Sequence, residues 1–264
     1  MAEPVAHAYG KHAVTVYRIG GGRLFACEVN MLIRGEAFES SYTTGDNSQV
    51  VATDSMKNFI HRMAVEYEAD GLEDFLAEIG TRFLARYEHV ESVDLKGRES
   101  VFVPLAGSVF QRVYDDCATA GLTLFPDGGR IETSGREGLH LVKLTGSAFA
   151  GFVRDEYTTL PETRDRPLFV HLDVNWHNAD HGRRADGEQV RETLVSTFAD
   201  FDSESIQHLV YEMGTRVIER FSEIEVIHFR AENRLWDVAQ EGESATVYTD
   251  ARPPYGVIEV QVQR

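Results

Sequence analysis

The chain has 264 residues, 42% hydrophobic and 26% charged, which is enough apolar material for one large or two small folded domains and excludes disorder throughout. Its 26 basic and 43 acidic residues give a net charge of −17, a field that repels nucleic acid and anionic membrane surfaces. A small anionic ligand would need a local basic group working against that field. Two cysteines, Cys27 and Cys117, are too few for a disulfide framework or a four-thiolate zinc site and read as small buried thiols in a reducing compartment. MAEPVAHAYGK has no apolar core of a signal peptide, no window approaches about 18 consecutive apolar residues, and Val-Gln-Arg is not a peroxisomal address. A cytoplasmic protein without a membrane partner is expected.

In chain order, Lys11 follows Tyr9-Gly10 just before the first strand. It reads either as a solvated lysine or, in a pocket, as a base whose pKa burial lowers. Ala13–Ile19 and Leu24–Arg34 flank Gly20-Gly21-Gly22 and predict a hairpin. The stretch TTGDNSQVVATDSMKN (43–58) predicts a helix start with Thr53 or Asp54 as its N-cap. The alternative is a hydroxyl and a carboxylate beside exposed helix amides that hold an anion or a carbonyl. A helix is expected over Asp54–Tyr67, and a second one carries Leu72, Phe75, Leu76, Ile79 and Phe83 at helical spacing. A strand, Val90–Leu95, follows.

Strands Leu139–Leu144 and Phe169–Trp176 surround GFVRDEYTTLPETRDRP. There Arg166 precedes a proline and an apolar strand, so its guanidinium either binds a planar acceptor edge or makes a surface pair with Asp165. His171, Asp173, His177 and His181 lack the spacing and helical context of metal ligands, and no metal is expected. No GxSxG elbow, P-loop or GxGxxG unit occurs, so no nucleotide cofactor is indicated. Gly187–Phe198 predicts a helix, Ile206, Leu209, Val210, Met213 and Val217 a further one, and Ile224–Phe229 a strand.

EIGTRFLARYEHVESVDL (78–95) and EMGTRVIERFSEIEVIHF (212–229) share six identities at a constant offset of 134 residues. Chance gives about one at ordinary residue usage. The six include polar residues that helix patterning does not require, so the chain reads as two related halves, each strand, strand, helix, helix, strand, strand. That is an α+β pattern of antiparallel strands with helices on one face. Long edge strands are a liability unless paired, and closure of the sheet by a second copy, hence a homo-oligomer, is expected.

Several segments together resemble the urate oxidase (uricase) family, of the tunnelling fold. They are Tyr9-Gly10-Lys11, Asp46-Asn47-Ser48, Val51-Ala52-Thr53-Asp54-Ser55-Met56-Lys57-Asn58, Phe152 to Leu160 with Glu162-Thr163 and Asp165-Arg166, Ser205-Ile206-Gln207, and Asn233. The resemblance spans essentially the whole chain in the family's order. It implies tandem tunnelling-fold (T-fold) domains, 1–144 and 145–264, in a homotetramer whose sheets close into a barrel. It implies oxidation of urate by dioxygen without a cofactor. By the same resemblance Lys11 and Thr53 form a proton relay, Asp54 binds the ring's far edge, and these three come from the neighbouring subunit. Arg166 and Gln207 clamp the pyrimidinedione edge, Phe149 stacks on the ring, and Leu160 lines the pocket. Ile206 offers an amide, and Asn233, with Thr53, borders the dioxygen or water site. The family pattern Asn-Lys-His is here Asn233-Arg234-Leu235, and Leu235 carries no proton. This leaves three readings: a urate oxidase with an altered relay, a divergent paralogue acting on another purine-like heterocycle, or a non-catalytic urate binder. A zinc-dependent enzyme of the same fold is a weaker fourth.

Overall fold

The computed structural model describes residues 6–68, 71–179 and 183–264, and the chain divides into two units, Met1–Ser134 and Gly135–Arg264. The first opens on β1 (Tyr9–Gly20) and β2 (Arg23–Arg34), joined through Gly21 and Gly22, whose φ angles of 58° and 77° lie in the left-handed region that favours glycine. Gly20 pairs with Arg23, which makes this a two-residue hairpin turn. After α1 (Glu39–Thr43) come α2 (Thr53–Glu66) and α3 (Leu72–Arg86). Then follow β3 (Ser92–Glu99), β4 (Val101–Ala106), β5 (Val109–Val113) and β6 (Cys117–Leu124). β7 (Arg130–Lys143) begins in this unit and ends in the next. The main strands lie in the order β1-β2-β3-β6, all antiparallel. The apolar stripe of α3 packs on their inner face: Phe75, Leu76, Ile79 and Phe83 are fully buried with Val29, Met31, Ile33 and Val93.

The second unit repeats this plan. β8 (Leu168–Asn178), α4 (Gly187–Asp200), α5 (Ile206–Arg220), β9 (Ile224–Asn233), β10 (Asp237–Glu241), β11 (Thr246–Thr249) and β12 (Gly256–Gln263) follow β7. Its sheet runs β7-β8-β9-β12, and α4 and α5 bury Val190, Leu194, Leu209, Val210 and Val217 with Trp176 and Ile227. Both units are therefore α+β, antiparallel strands under helices on one face.

The repeat has a steric cause at one position. A Cβ on Gly80 of α3 would lie 2.4 Å from Leu124 Cδ1 and 3.2 Å from Leu95 Cδ1. A Cβ on Gly214 of α5 would lie 2.6 Å from Val262 Cγ2 and 3.0 Å from Phe229. Leu95 and Phe229 are themselves 134 residues apart, so the same helix-to-sheet approach recurs in both halves.

Some expectations need correction. Lys11 lies inside β1, not before it. Neither Thr53 nor Asp54 is the N-cap of α2: Ala52 holds that position with no side-chain hydrogen bond, and Thr53 is the first helical residue. The two-stranded sheets β4–β5 and β10–β11 were not anticipated. Among the described residues no helix is long and apolar enough to cross a membrane.

Candidate functional site

In the second unit a cavity of about 120 Å³ opens where α5 begins and β9 ends. Phe149, Leu160, Arg166, Ile206, Gln207 and Asn233 line it, together with Leu235, Gly256 and Ile258. All six second-unit candidates are thus gathered at one place, from three separate stretches of sequence.

Each is set there by local structure. Ser205 caps α5, its Oγ accepting the His208 N–H at 3.1 Å. The cap leaves the amides of Ile206 and Gln207 without intrahelical acceptors at the positive end of the helix. The segment before β8 is pinned by its backbone. Phe149 and Thr163 exchange N–H to carbonyl bonds of 2.7 and 2.9 Å, Arg166 donates to the Ser147 carbonyl at 3.0 Å, and Ala148 donates to the Ser203 carbonyl at 2.8 Å.

Asp165 does not form the surface pair with Arg166 that adjacency suggests. Its carboxylate accepts the Thr145 hydroxyl and the Gly146 N–H, each at 2.7 Å, and the Thr145 bond, then the Gly146 one, holds its pKa below the usual carboxylate range. Arg166 is left half-buried, its guanidinium 5.8 Å from the Phe149 ring centroid, and burial lowers its pKa. Its Nε is buried without a hydrogen-bond partner.

Asn233, the last residue of β9, pairs in register with Val170 and Gly256, and its Oδ1 is also buried without a partner. An unmet donor and an unmet acceptor in one small cavity are unusual, because buried polar groups are nearly always paired. A ligand that accepts one hydrogen bond and donates another would satisfy both. Arg234 is engaged elsewhere: Glu232 accepts from its Nε at 3.0 Å and from its Nη2, and its guanidinium lies 3.5 Å over the Tyr255 ring.

The three first-unit candidates form a second group. The Tyr9 hydroxyl accepts the Val51 N–H at 2.8 Å and ties the start of β1 to the approach to α2. Lys11 pairs in register with Met31 immediately before a bulge, where Ala13 takes φ 54° and donates its N–H to Asn30 Oδ1 at 2.7 Å. Asp54 Oδ1 accepts Lys57 Nζ at 2.5 Å and Oδ2 accepts Asn58 Nδ2 at 2.9 Å. The Lys57 bond chiefly, with a smaller contribution from the Lys11 charge, holds the Asp54 carboxyl below its ordinary pKa. The Lys11 charge thus reaches Asp54, and Thr53 precedes Asp54 as the first residue of α2.

The histidine stretch is used structurally. His140 and His171 stack at 3.7 Å, Asp173 accepts the Gly138 N–H at 2.8 Å, and His177 lies 5.9 Å from His228. His181 lies outside the described residues. Among the described residues no group of three or more His, Cys, Asp or Glu is placed to hold a metal ion. Sequence reasoning missed Gly256 and Ile258, which reach the cavity through the register of β12 on β9; the alternation of Val-Ile-Glu-Val-Gln-Val was the available signal.

Comparison with known proteins places the chain in a family. The family model for uricase matches residues 7–112 and 132–259. The chain is 38% identical over 259 residues to the uric acid degradation bifunctional protein of Bacillus sp. TB-90, covering 88% of this chain and 52% of that protein. It is 38% identical over 270 residues to the uricase of Haloferax volcanii, covering 86% of this chain and 88% of the relative. The crystal structure of a uricase from Bacillus fastidious superposes with a TM-score of 0.90 at 33% identity, covering 97% of this chain and 93% of that one. The chain spans about half the length of the Bacillus bifunctional proteins it matches. On these grounds the chain belongs to the uricase family.

Proposed function

We propose that this chain oxidises urate with dioxygen, without a cofactor, to 5-hydroxyisourate and hydrogen peroxide. The reaction balances with one water: urate gives two electrons and two protons, dioxygen takes both to become peroxide, and water adds across the oxidised ring, placing its hydroxyl on C5. The observation that carries this reading is the cavity with its buried, unpartnered Arg166 Nε and Asn233 Oδ1. In it Arg166 and Gln207 clamp one edge of the urate anion, a fixed cation in a molecule whose net charge is −17. Phe149 covers the ring face, Leu160 closes the pocket, the Ile206 amide donates to the ring, and Asn233 faces dioxygen or water. Holding ring and dioxygen together in a dry pocket supplies the proximity that an electron-rich anion needs to reduce oxygen directly.

Lys11 and Thr53 take the ring proton, and Asp54 binds the far edge. In this reading these three come from a neighbouring protomer, the two units are tandem T-fold domains, and a cytoplasmic homotetramer closes the barrel. Leu235 replaces the relay's imidazole and carries no proton, and Arg234 beside it is held by Glu232 and Tyr255. General acid–base groups contribute about 10²–10⁴-fold, so turnover is slow for the family. The test is loss of urate absorbance with stoichiometric oxygen uptake and peroxide release in EDTA-treated buffer. Absence of both turnover and binding overturns the proposal. Leu235 also favours the second reading, a divergent paralogue for another oxidised purine, which competition between oxopurines separates. Calorimetric binding of urate without oxygen uptake would mark a binder instead.

A further inference from the structure

We propose that Leu235 determines specificity, and that the substrate this pocket favours is an N-methylated oxopurine in preference to urate itself. The inference rests on the oxidase reading above and refines its substrate class. Leu235 follows Asn233 at the end of β9, packs partly buried against the second unit's core and lines the cavity beside Ile258. Both side chains are hydrocarbon. Arg234, the chain neighbour of Leu235, is held by Glu232 and stacked 3.5 Å over Tyr255. The polar demand of the pocket lies elsewhere, at Arg166 Nε and Asn233 Oδ1. The side chains of Leu235 and Ile258 therefore offer neither donor nor acceptor, and the polar side chains of the lining are Arg166, Gln207 and Asn233.

The urate anion carries N–H groups and carbonyls around its periphery, with one ring nitrogen deprotonated and accepting. The edge that meets Leu235 and Ile258 gives up its hydrogen bonds to water and gains none from those two side chains, a loss worth roughly 5- to 100-fold in affinity for each unpaired polar group. A methyl on a ring nitrogen of that edge removes the unmet N–H and buries a hydrocarbon group against leucine and isoleucine, which adds about 4-fold. The reaction is unchanged: the methylated anion gives two electrons and two protons to dioxygen, which leaves as hydrogen peroxide, and water adds to the ring.

The experiment measures kcat/KM of the purified chain for urate and for 1-, 3-, 7- and 9-methylurate, by oxygen uptake. One isomer is expected to exceed urate by about 5-fold or more. Leu235→His should reverse that order, and Leu235→Met, which keeps the wall apolar, should preserve it. Urate ahead of all four isomers overturns the inference while leaving the oxidase reading intact. No oxygen uptake and no binding with any of the five overturns both. The wild-type panel decides the matter even if the histidine variant folds poorly.

Discussion

Replacing Arg166 with methionine separates a ligand-binding arginine from a structural one, because the two roles predict opposite signs. The guanidinium is half-buried over Phe149 and its Nε is buried with no partner. An unmet buried polar group costs the folded state about 1–3 kcal/mol. Methionine keeps the apolar stem and discards that cost, so the ligand-free protein should hold its Tm or gain about 2–4 °C per kcal/mol recovered. A urate anion, by contrast, loses two charge-assisted hydrogen bonds worth about 1.5–3 kcal/mol each. The sum, about 3–6 kcal/mol, lowers kcat/KM by about 10²–10⁴. Thermal unfolding without ligand and urate-dependent oxygen uptake give the two numbers. A fall of several degrees in Tm with kcat/KM within about threefold of wild type would make Arg166 a structural residue and refute the reasoning.

Three further perturbations test the scaffold. Ser205→Ala removes the bond to the His208 amide, and about 1 kcal/mol of stability goes with a raised KM for urate, read from unfolding and initial rates. Gly214→Ala forces a Cβ to within 2.6 Å of Val262 Cγ2 and should cost about 1–3 kcal/mol in denaturant unfolding; Gly80→Ala, meeting Leu124, should cost a similar amount. Burial, with Glu99 adding to it, raises the Cys27 thiol from 9.0 to about 12. The unfolded chain loses this proton first, so Cys27 contributes stability that is fully present below about pH 9 and is lost as pH rises toward 12, at about 1.4 kcal/mol per pH unit. Cys27→Ala should flatten that limb of the stability curve.

The parts of the fold that depend on period and on obligatory turns were legible. The stripe Leu72, Phe75, Leu76, Ile79, Phe83 could face only one core, and Gly21-Gly22 could make only a tight hairpin. β10 was not legible, because Asp237–Glu241 is exposed at every residue and no face of it alternates. Thr53 and Asp54 misled because both are good caps. Asp54 instead bonds Lys57 and Asn58 inside the helix, and the cap position falls to Ala52. Asp165 misled because its partners, Thr145 and Gly146, lie about twenty residues upstream, out of reach of any local pattern. The apolar wall of Leu235 and Ile258 depends on the pairing of β12 with β9, a long-range choice that composition does not announce.

In the proposed site the two halves place chemistry at different helix starts, and that difference can be tested. At the offset of 134, Thr53-Asp54 corresponds to Gly187-Glu188, and Leu72-Glu73 to Ile206-Gln207. In the second half, α4 is closed by Asp186, whose carboxylate takes the Glu188 and Gln189 amides, and Glu188 pairs with Arg136 and Arg191. The working end there is α5, with Gln207 at the cavity. In the first half, Glu73, the counterpart of Gln207, is occupied by the Ser134 hydroxyl at 2.8 Å, while α2 starts at Thr53 with no side chain on its free amides. An uncapped start forgoes about 1 kcal/mol, which is explicable if those amides or the Thr53 hydroxyl serve a ligand. Ala52→Asp supplies the missing cap. It should raise Tm by about 2–4 °C and lower kcat/KM for urate by about 2- to 10-fold, the loss of one hydrogen bond. Gly71→Ser, at the uncapped start of α3, is the control and should alter activity little. If Ala52→Asp gains stability and keeps full activity, the open end of α2 is an accident of sequence and Thr53 acts without help from the helix it begins.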